Sequence, residues 1–180
     1  GGDRLGREAQ PTAVLRFGDH GGAGGLLVGQ ENRGLEDLFI RMNAARYAVG
    51  VQGIAVADRA YQHAVAYAKD RVQSRPVDGS MSASAPIIHH PDVKRMLMQM
   101  RAMTGAARTI CYATAVALDI AARSTDPKAR AAGAARGALL TPIAKAFSPD
   151  IGKEVTSAGG RIHGGRGFRE GAGAAPQNQE

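Results

Sequence analysis

The chain has 180 residues, with 23 Lys and Arg against 16 Asp and Glu, a net charge of +7 and a hydrophobic share of 44%. This length suits one domain, or one domain and a piece of another, and the apolar share is too high for a disordered chain. A single cysteine, Cys111, excludes an internal disulfide framework. The basic residues are interspersed with acids and lack aromatic platforms among them, which argues against a nucleic-acid surface. No apolar run reaches the length of a membrane span, and no charged segment followed by an apolar one marks a signal peptide, so a cytoplasmic protein is expected. His63, His89, His90 and His163 have no cysteine pair or carboxylate at ligand spacing, so no metal site is expected.

In chain order, residues 1 to 11 are polar and glycine-rich. Thr12 to Phe17 reads as a short strand with Ala13, Leu15 and Phe17 on one face, and Leu26 to Val28 as its return after the turn-rich Gly18–Gly25. That glycine run has neither the lysine nor the spacing of a phosphate loop, so turn chemistry explains it. From about Asn32 to Arg75 the apolar residues recur at helical spacing: Leu35, Leu38, Phe39, Met42, Val49, Gly53, Ala57, Tyr61, Ala64, Val65 and Ala68. Glu36 and Asp37 at its start and Arg71 near its end agree with the helix dipole.

A loop of small residues, Pro76 to His90, precedes a second helix that starts at His90-Pro91-Asp92 and runs to about Arg123. Met96, Met100, Met103, Ala107, Ile110, Cys111 and Ala115 are its candidate buried face, with Cys111 read as a small buried hydrophobe. Asp126 then serves as N-cap, with Pro127 at the first position of a third helix running toward Ser157. Its candidate core is Leu139, Leu140, Ile143, Ala144, Phe147, Ile151 and Val155. Gly133 and Gly137 weaken it, and Pro149 is expected to kink it or split it in two. The fold class is therefore mainly α: an incomplete antiparallel helical bundle, one helix short of four, preceded by a β-hairpin.

Six motifs stand in order along this frame: VGxENRGL from Val28, NxAR from Asn43, YAxxRVQxR from Tyr67, HPDVxRM from His90, LLTPIxKA from Leu139 and HGGxGF from His163. On these the chain resembles the C-terminal part of the acyl-CoA dehydrogenase family, across about residues 4 to 175. It is most similar to the bacterial subgroup that includes methylthiopropanoyl-CoA dehydrogenases. The resemblance implies an FAD-dependent oxidoreductase that removes the α- and β-hydrogens of an acyl-CoA thioester. It also implies that residues 1–31 are the tail of a middle β-domain and 32–168 the C-terminal helical bundle, with 169–180 a divergent tail. The implied assembly is a homodimer or homotetramer with FAD at the subunit interface.

Residue by residue, Arg71 matches the family arginine that reaches FAD phosphates in the neighbouring subunit. Gly164, Gly165 and Gly167 match the turn that packs against the ADP part of FAD. Arg161 stands where the family usually has Gln, and Arg166 where it commonly has Met or another uncharged residue. Asn43 and Arg46 match positions lining the CoA side of the substrate channel, and Thr12 lies in the stretch that approaches flavin and thioester. The family's catalytic carboxylate is a Glu before Gly, expected beyond residue 180. Its alternative position on the first long helix is occupied here by Ala45, so no catalytic residue is nominated and the chain is expected to be inactive alone. The alternative reading is a non-catalytic helical oligomerisation module.

Overall fold

The computed structural model describes residues 13–169. Three long helices dominate: α1 (Gly34–Asp70), α2 (Pro91–Arg123) and α3 (Pro127–His163). A single turn of 3₁₀ helix, Ile87–His89, leads into α2, and a second, Gly164–Phe168, follows α3. The chain divides into two units within α1, the first ending at Ile40 and the second running from Arg41.

In the first unit the expected hairpin is not seen. Ala13–Phe17 and Leu26–Val28 form no strand, and among the described residues the only bridge is the isolated pair Val72–Pro86. Val14 is 91% exposed and Leu26 95%, so the two segments bury no common face. Two short strands without a third or a covering helix are marginal at best. Thr12, the first residue of the expected strand, lies outside the described residues. Glu36 and Asp37 occupy the first turn of α1, with their N–H groups bonded to the Arg33 carbonyl at 3.0 and 3.2 Å.

In the second unit, α2 has the limits its caps foretell. Pro91 stands at the first helical position, and Ser124 N–H closes the far end on the Ile120 carbonyl at 3.1 Å. Asp126 caps α3 as expected: Lys128 N–H donates to Oδ1 at 2.9 Å and Ala129 N–H to Oδ2 at 3.2 Å. The expected break at Ser148-Pro149-Asp150 is absent. Helix α3 runs through Pro142 and Pro149 as one element of 37 residues. An interior proline costs about 3 kcal/mol, and the packing around Pro149 offsets it: Ser148, Ile151 and Gly152 are all buried.

Small residues dominate the core where the helices approach most closely, with Ile54, Leu97, Met100, Ile151 and Val155 filling it elsewhere. Helix α1 buries Gly50, Gly53, Ile54, Ala57, Ala60, Ala64 and Ala68. The first half of α3 turns Gly133, Gly137, Thr141, Ala144 and Ser148 inward, whereas Leu139, Ile143 and Phe147 are exposed. The reason is close approach. A β-carbon on Gly53 would lie 2.6 Å from the Pro149 nitrogen, and one on Gly152 would lie 2.9 Å from the Gly53 carbonyl oxygen. At α2, Met100, Ala107 and Cys111 are buried as expected, joined by Leu97, Thr104, Thr114 and Ala117. Thr104 and Thr114 fit because each hydroxyl donates to the carbonyl four residues earlier, at 2.8 Å. Cys111 packs at the crossing of the three helices, its Sγ 3.4 Å from Ser148 Oγ.

Beside this crossing, burial pushes the Tyr47 phenol above the ordinary tyrosine value of 10.0, with Cys111, Tyr112 and Asp119 acting in the same direction. The fold thus favours the neutral phenol. Its contribution to stability is present below pH 10 and is lost as pH rises through the higher folded value. In an alkaline ultraviolet titration Tyr47 is expected to ionise later than an ordinary tyrosine, and Tyr47→Phe to remove that late phase. A titration unchanged by Tyr47→Phe would contradict this assignment.

Candidate functional site

Helix α1 ends at Asp70, and the chain beyond it folds back on itself. Gln73 N–H donates to the Ala85 carbonyl at 3.0 Å, Ala85 N–H to Ser74 at 3.0 Å, and Ile87 N–H to Arg71 at 2.7 Å. The His90 ring adds a tie, with Nε2–H donating to the Gln73 carbonyl at 2.8 Å. Arg71 and Gln73 are therefore held by backbone pairing at the end of α1, rather than on a free linker.

The end of α3 is fixed just as firmly. His163 is buried, and its Nδ1–H donates to the Gly159 carbonyl at 2.8 Å. Its ring stacks on Tyr67 with centroids 4.5 Å apart. Gly164 follows with φ +60 and ψ −132, a backbone conformation that side-chain-bearing residues avoid. The 3₁₀ turn then folds back over α3. A β-carbon on Gly167 would lie 3.0 Å from the Gly160 carbonyl carbon and closer still to its oxygen.

Between these two ends lies a cavity of about 490 Å³. Tyr67, His163, Ile87 and Ile162 form its apolar lining, and Arg71, Gln73, Gly164, Gly165, Arg166 and Arg169 its polar lining. No carboxylate is among these residues. Guanidinium groups with fixed donor forks and glycine N–H groups unshielded by a β-carbon suit phosphate oxygens. Among the described residues no atom lies within 4 Å of a β-carbon built on Gly164 or Gly165, so the described structure leaves the turn uncovered.

The structure thus brings together four of the residues singled out in the sequence: Arg71, Gly164, Gly165 and Arg166. Gly167 serves the fold of the turn through its contact with Gly160. Arg161 is elsewhere, in a groove of about 480 Å³ between α2 and α3, with Gln99, Asp150, Lys153 and Glu154. Asn43 and Arg46 lie far back along α1, paired with each other at 3.0 Å (Nη1 to Oδ1), and Ala45 between them is exposed. The residues missed by sequence reasoning are Tyr67, Gln73, His163 and Arg169. Tyr67 had a legible signal, since it sits four residues before Arg71 and thus on the same helix face. His163 and Arg169 had only their nearness to the glycine turn.

A second apolar groove, of about 580 Å³, lies between α2 and α3, lined by Tyr112, Val116, Ile120, Ala132 and Gly133 among others. Among the described residues no helix is long and apolar enough to cross a membrane.

Comparison with known proteins agrees with the helical architecture. The sequence pattern of the family described as acyl-CoA dehydrogenase, C-terminal domain, matches residues 32–178. The chain is 51% identical over 172 residues to the 3-methylmercaptopropionyl-CoA dehydrogenase of Ruegeria pomeroyi, covering 96% of this chain and 29% of that protein. It is 32% identical over 170 residues to a broad-specificity linear acyl-CoA dehydrogenase of Mycobacterium tuberculosis, covering 92% of this chain and 28% of the relative. To a butyryl-CoA dehydrogenase of Syntrophomonas wolfei it is 27% identical over 172 residues, covering 93% of this chain and 28% of the relative. The chain therefore spans less than a third of the length of these curated relatives. The chain belongs to the acyl-CoA dehydrogenase family, and its described helices correspond to that family's C-terminal domain.

Proposed function

We propose that the chain takes part in FAD-dependent α,β-dehydrogenation of an acyl-CoA thioester, and that the cavity between the ends of α1 and α3 receives the diphosphate of FAD. The observation that carries this reading is the meeting of Arg71 with the Gly164-Gly165 turn around one cavity with no carboxylate among its described lining residues. FAD, when bound, supplies the acceptor for the substrate's β-hydrogen. The chain's own part is binding: Arg71 and Gln73 donate to phosphate oxygens, the glycine turn lets backbone approach them, and the Tyr67–His163 stack gives a firm apolar wall. Asn43 and Arg46, three apart on one face of α1, would line the CoA side of the substrate channel, and Thr12 the approach to the thioester. Residues 1–31, which precede the part of the chain matched by the family pattern, would close the middle β-domain.

No general base is among the described residues at this cavity. Ala45 carries only a methyl at the alternative family position, so the described residues supply binding rather than proton abstraction. The test is a chimera in which this chain replaces the matching segment of the Ruegeria pomeroyi relative. It is expected to hold FAD and to dehydrogenate 3-methylmercaptopropionyl-CoA with an artificial electron acceptor. A folded chimera that holds no flavin would overturn the proposal.

A second reading, self-association without catalysis, is favoured by the apolar groove between α2 and α3, where Tyr112 is 63% and Val116 58% exposed. Covering such a face with a second copy would remove apolar surface from water. Light scattering separates the two: a defined oligomer with no nucleotide affinity would support this reading over the first.

A further inference from the structure

The cavity between α1 and α3 carries more positive charge than its family match requires. Arg71 comes from the end of α1, while Arg166 and Arg169 come from the turn after α3, and all three line the same space. Arg166 stands where the resembling family commonly has an uncharged residue. The placement of Arg166 and Arg169 follows from two local constraints. His163 is anchored to Gly159 and stacked on Tyr67, which sets where α3 stops. Gly167 then packs directly against Gly160, which folds the Arg166–Arg169 segment back over the helix.

Resting on the reading that this cavity takes a nucleotide diphosphate, we propose that Arg166 and Arg169 are additional ligand-binding residues. With Arg71 they make a three-guanidinium cradle that selects a diphosphate over a monophosphate. Two linked phosphoryl groups carry more negative charge than one and reach further across a cavity whose arginines come from two separate chain segments, so a diphosphate engages all three where a monophosphate engages fewer. Each charge-assisted contact is worth on the order of tenfold in affinity. The arginines are exposed, so the gain is screened by salt.

The test is calorimetric titration of the 180-residue chain with ADP and with AMP, at low and high ionic strength. ADP is expected to bind at least about tenfold more tightly than AMP. Arg166→Met and Arg169→Met are each expected to weaken ADP by roughly tenfold, leave AMP nearly unchanged, and flatten the salt dependence of ADP binding. Both positions are exposed and follow α3, so helical content measured by circular dichroism should not change. Wild-type affinity for ADP in both variants, or equal losses for ADP and AMP, overturns the proposal. If Arg71→Met weakens ADP while the other two do not, this proposal fails and the cavity assignment stands. If the wild-type chain binds no ADP, both fail.

Discussion

Gly53→Ala is expected to destabilise the chain by about 2 kcal/mol, although alanine is the better helix former by about 1 kcal/mol. The added β-carbon would stand 2.6 Å from both the Pro149 nitrogen and the Ser148 carbonyl carbon, and 2.7 Å from the Ser148 oxygen. All three are backbone atoms, so no side chain can turn aside and the two helices must move apart. Moving them would also open the contacts of Gly152, whose own β-carbon would meet the Gly53 carbonyl at 2.9 Å. Gly105 on α2 provides the control, because no atom lies within 4 Å of a β-carbon built there. Gly105→Ala should therefore stabilise by about 0.5–1 kcal/mol through helix propensity alone. Urea denaturation of the two variants reads the difference as midpoint shifts of opposite sign. A stabilised Gly53→Ala chain would show that α1 and α3 do not approach as described.

Arg71→Met is expected to weaken ADP binding by about 10–100-fold, while Arg161→Met leaves it nearly unchanged. Both arginines carry equal charge, and both are exposed. Their surroundings differ. Arg71 shares its cavity with Arg166, Arg169 and the glycine turn, with no carboxylate among the lining residues. Arg161 shares its groove with Lys153 but also with Asp150 and Glu154, whose two carboxylates offset the two cations, so the groove has no net positive charge to hold an anion. Equal losses in the two variants would mean that ADP senses only the overall charge of the chain. Arg71 lies beyond the last residue of α1, so the change should leave the thermal melt in place.

Much of the architecture was legible because it rests on local chemistry. His90-Pro91-Asp92 and Asp126-Pro127 announce helix starts through missing or satisfied N–H groups, and both helices begin there. The core was harder to read, because periodicity weighs large apolar residues most. In α3 it favoured Leu139, Ile143 and Phe147, which are exposed, over Gly137, Thr141 and Ser148, which are buried. Where helices cross this closely, only small side chains fit, and size rather than hydrophobicity decides the inward face. The split expected at Pro149 failed for a related reason: its local cost was plain, but the packing of Ser148 and Gly152 around it was not. In the cavity, Arg71 and the glycines were reached through motifs. The Tyr67–His163 stack exists only once the ends of two helices meet, so no local pattern could announce it.

The central claim is that the ends of α1 and α3 form a diphosphate site. The structure of the chain with ADP bound tests it most directly. The diphosphate is predicted to lie within hydrogen-bond reach of Arg71 and of the backbone N–H groups at Gly164-Gly165. An ADP ordered instead in the α2–α3 groove, against Lys153 and Arg161 with Arg71 untouched, would contradict the account.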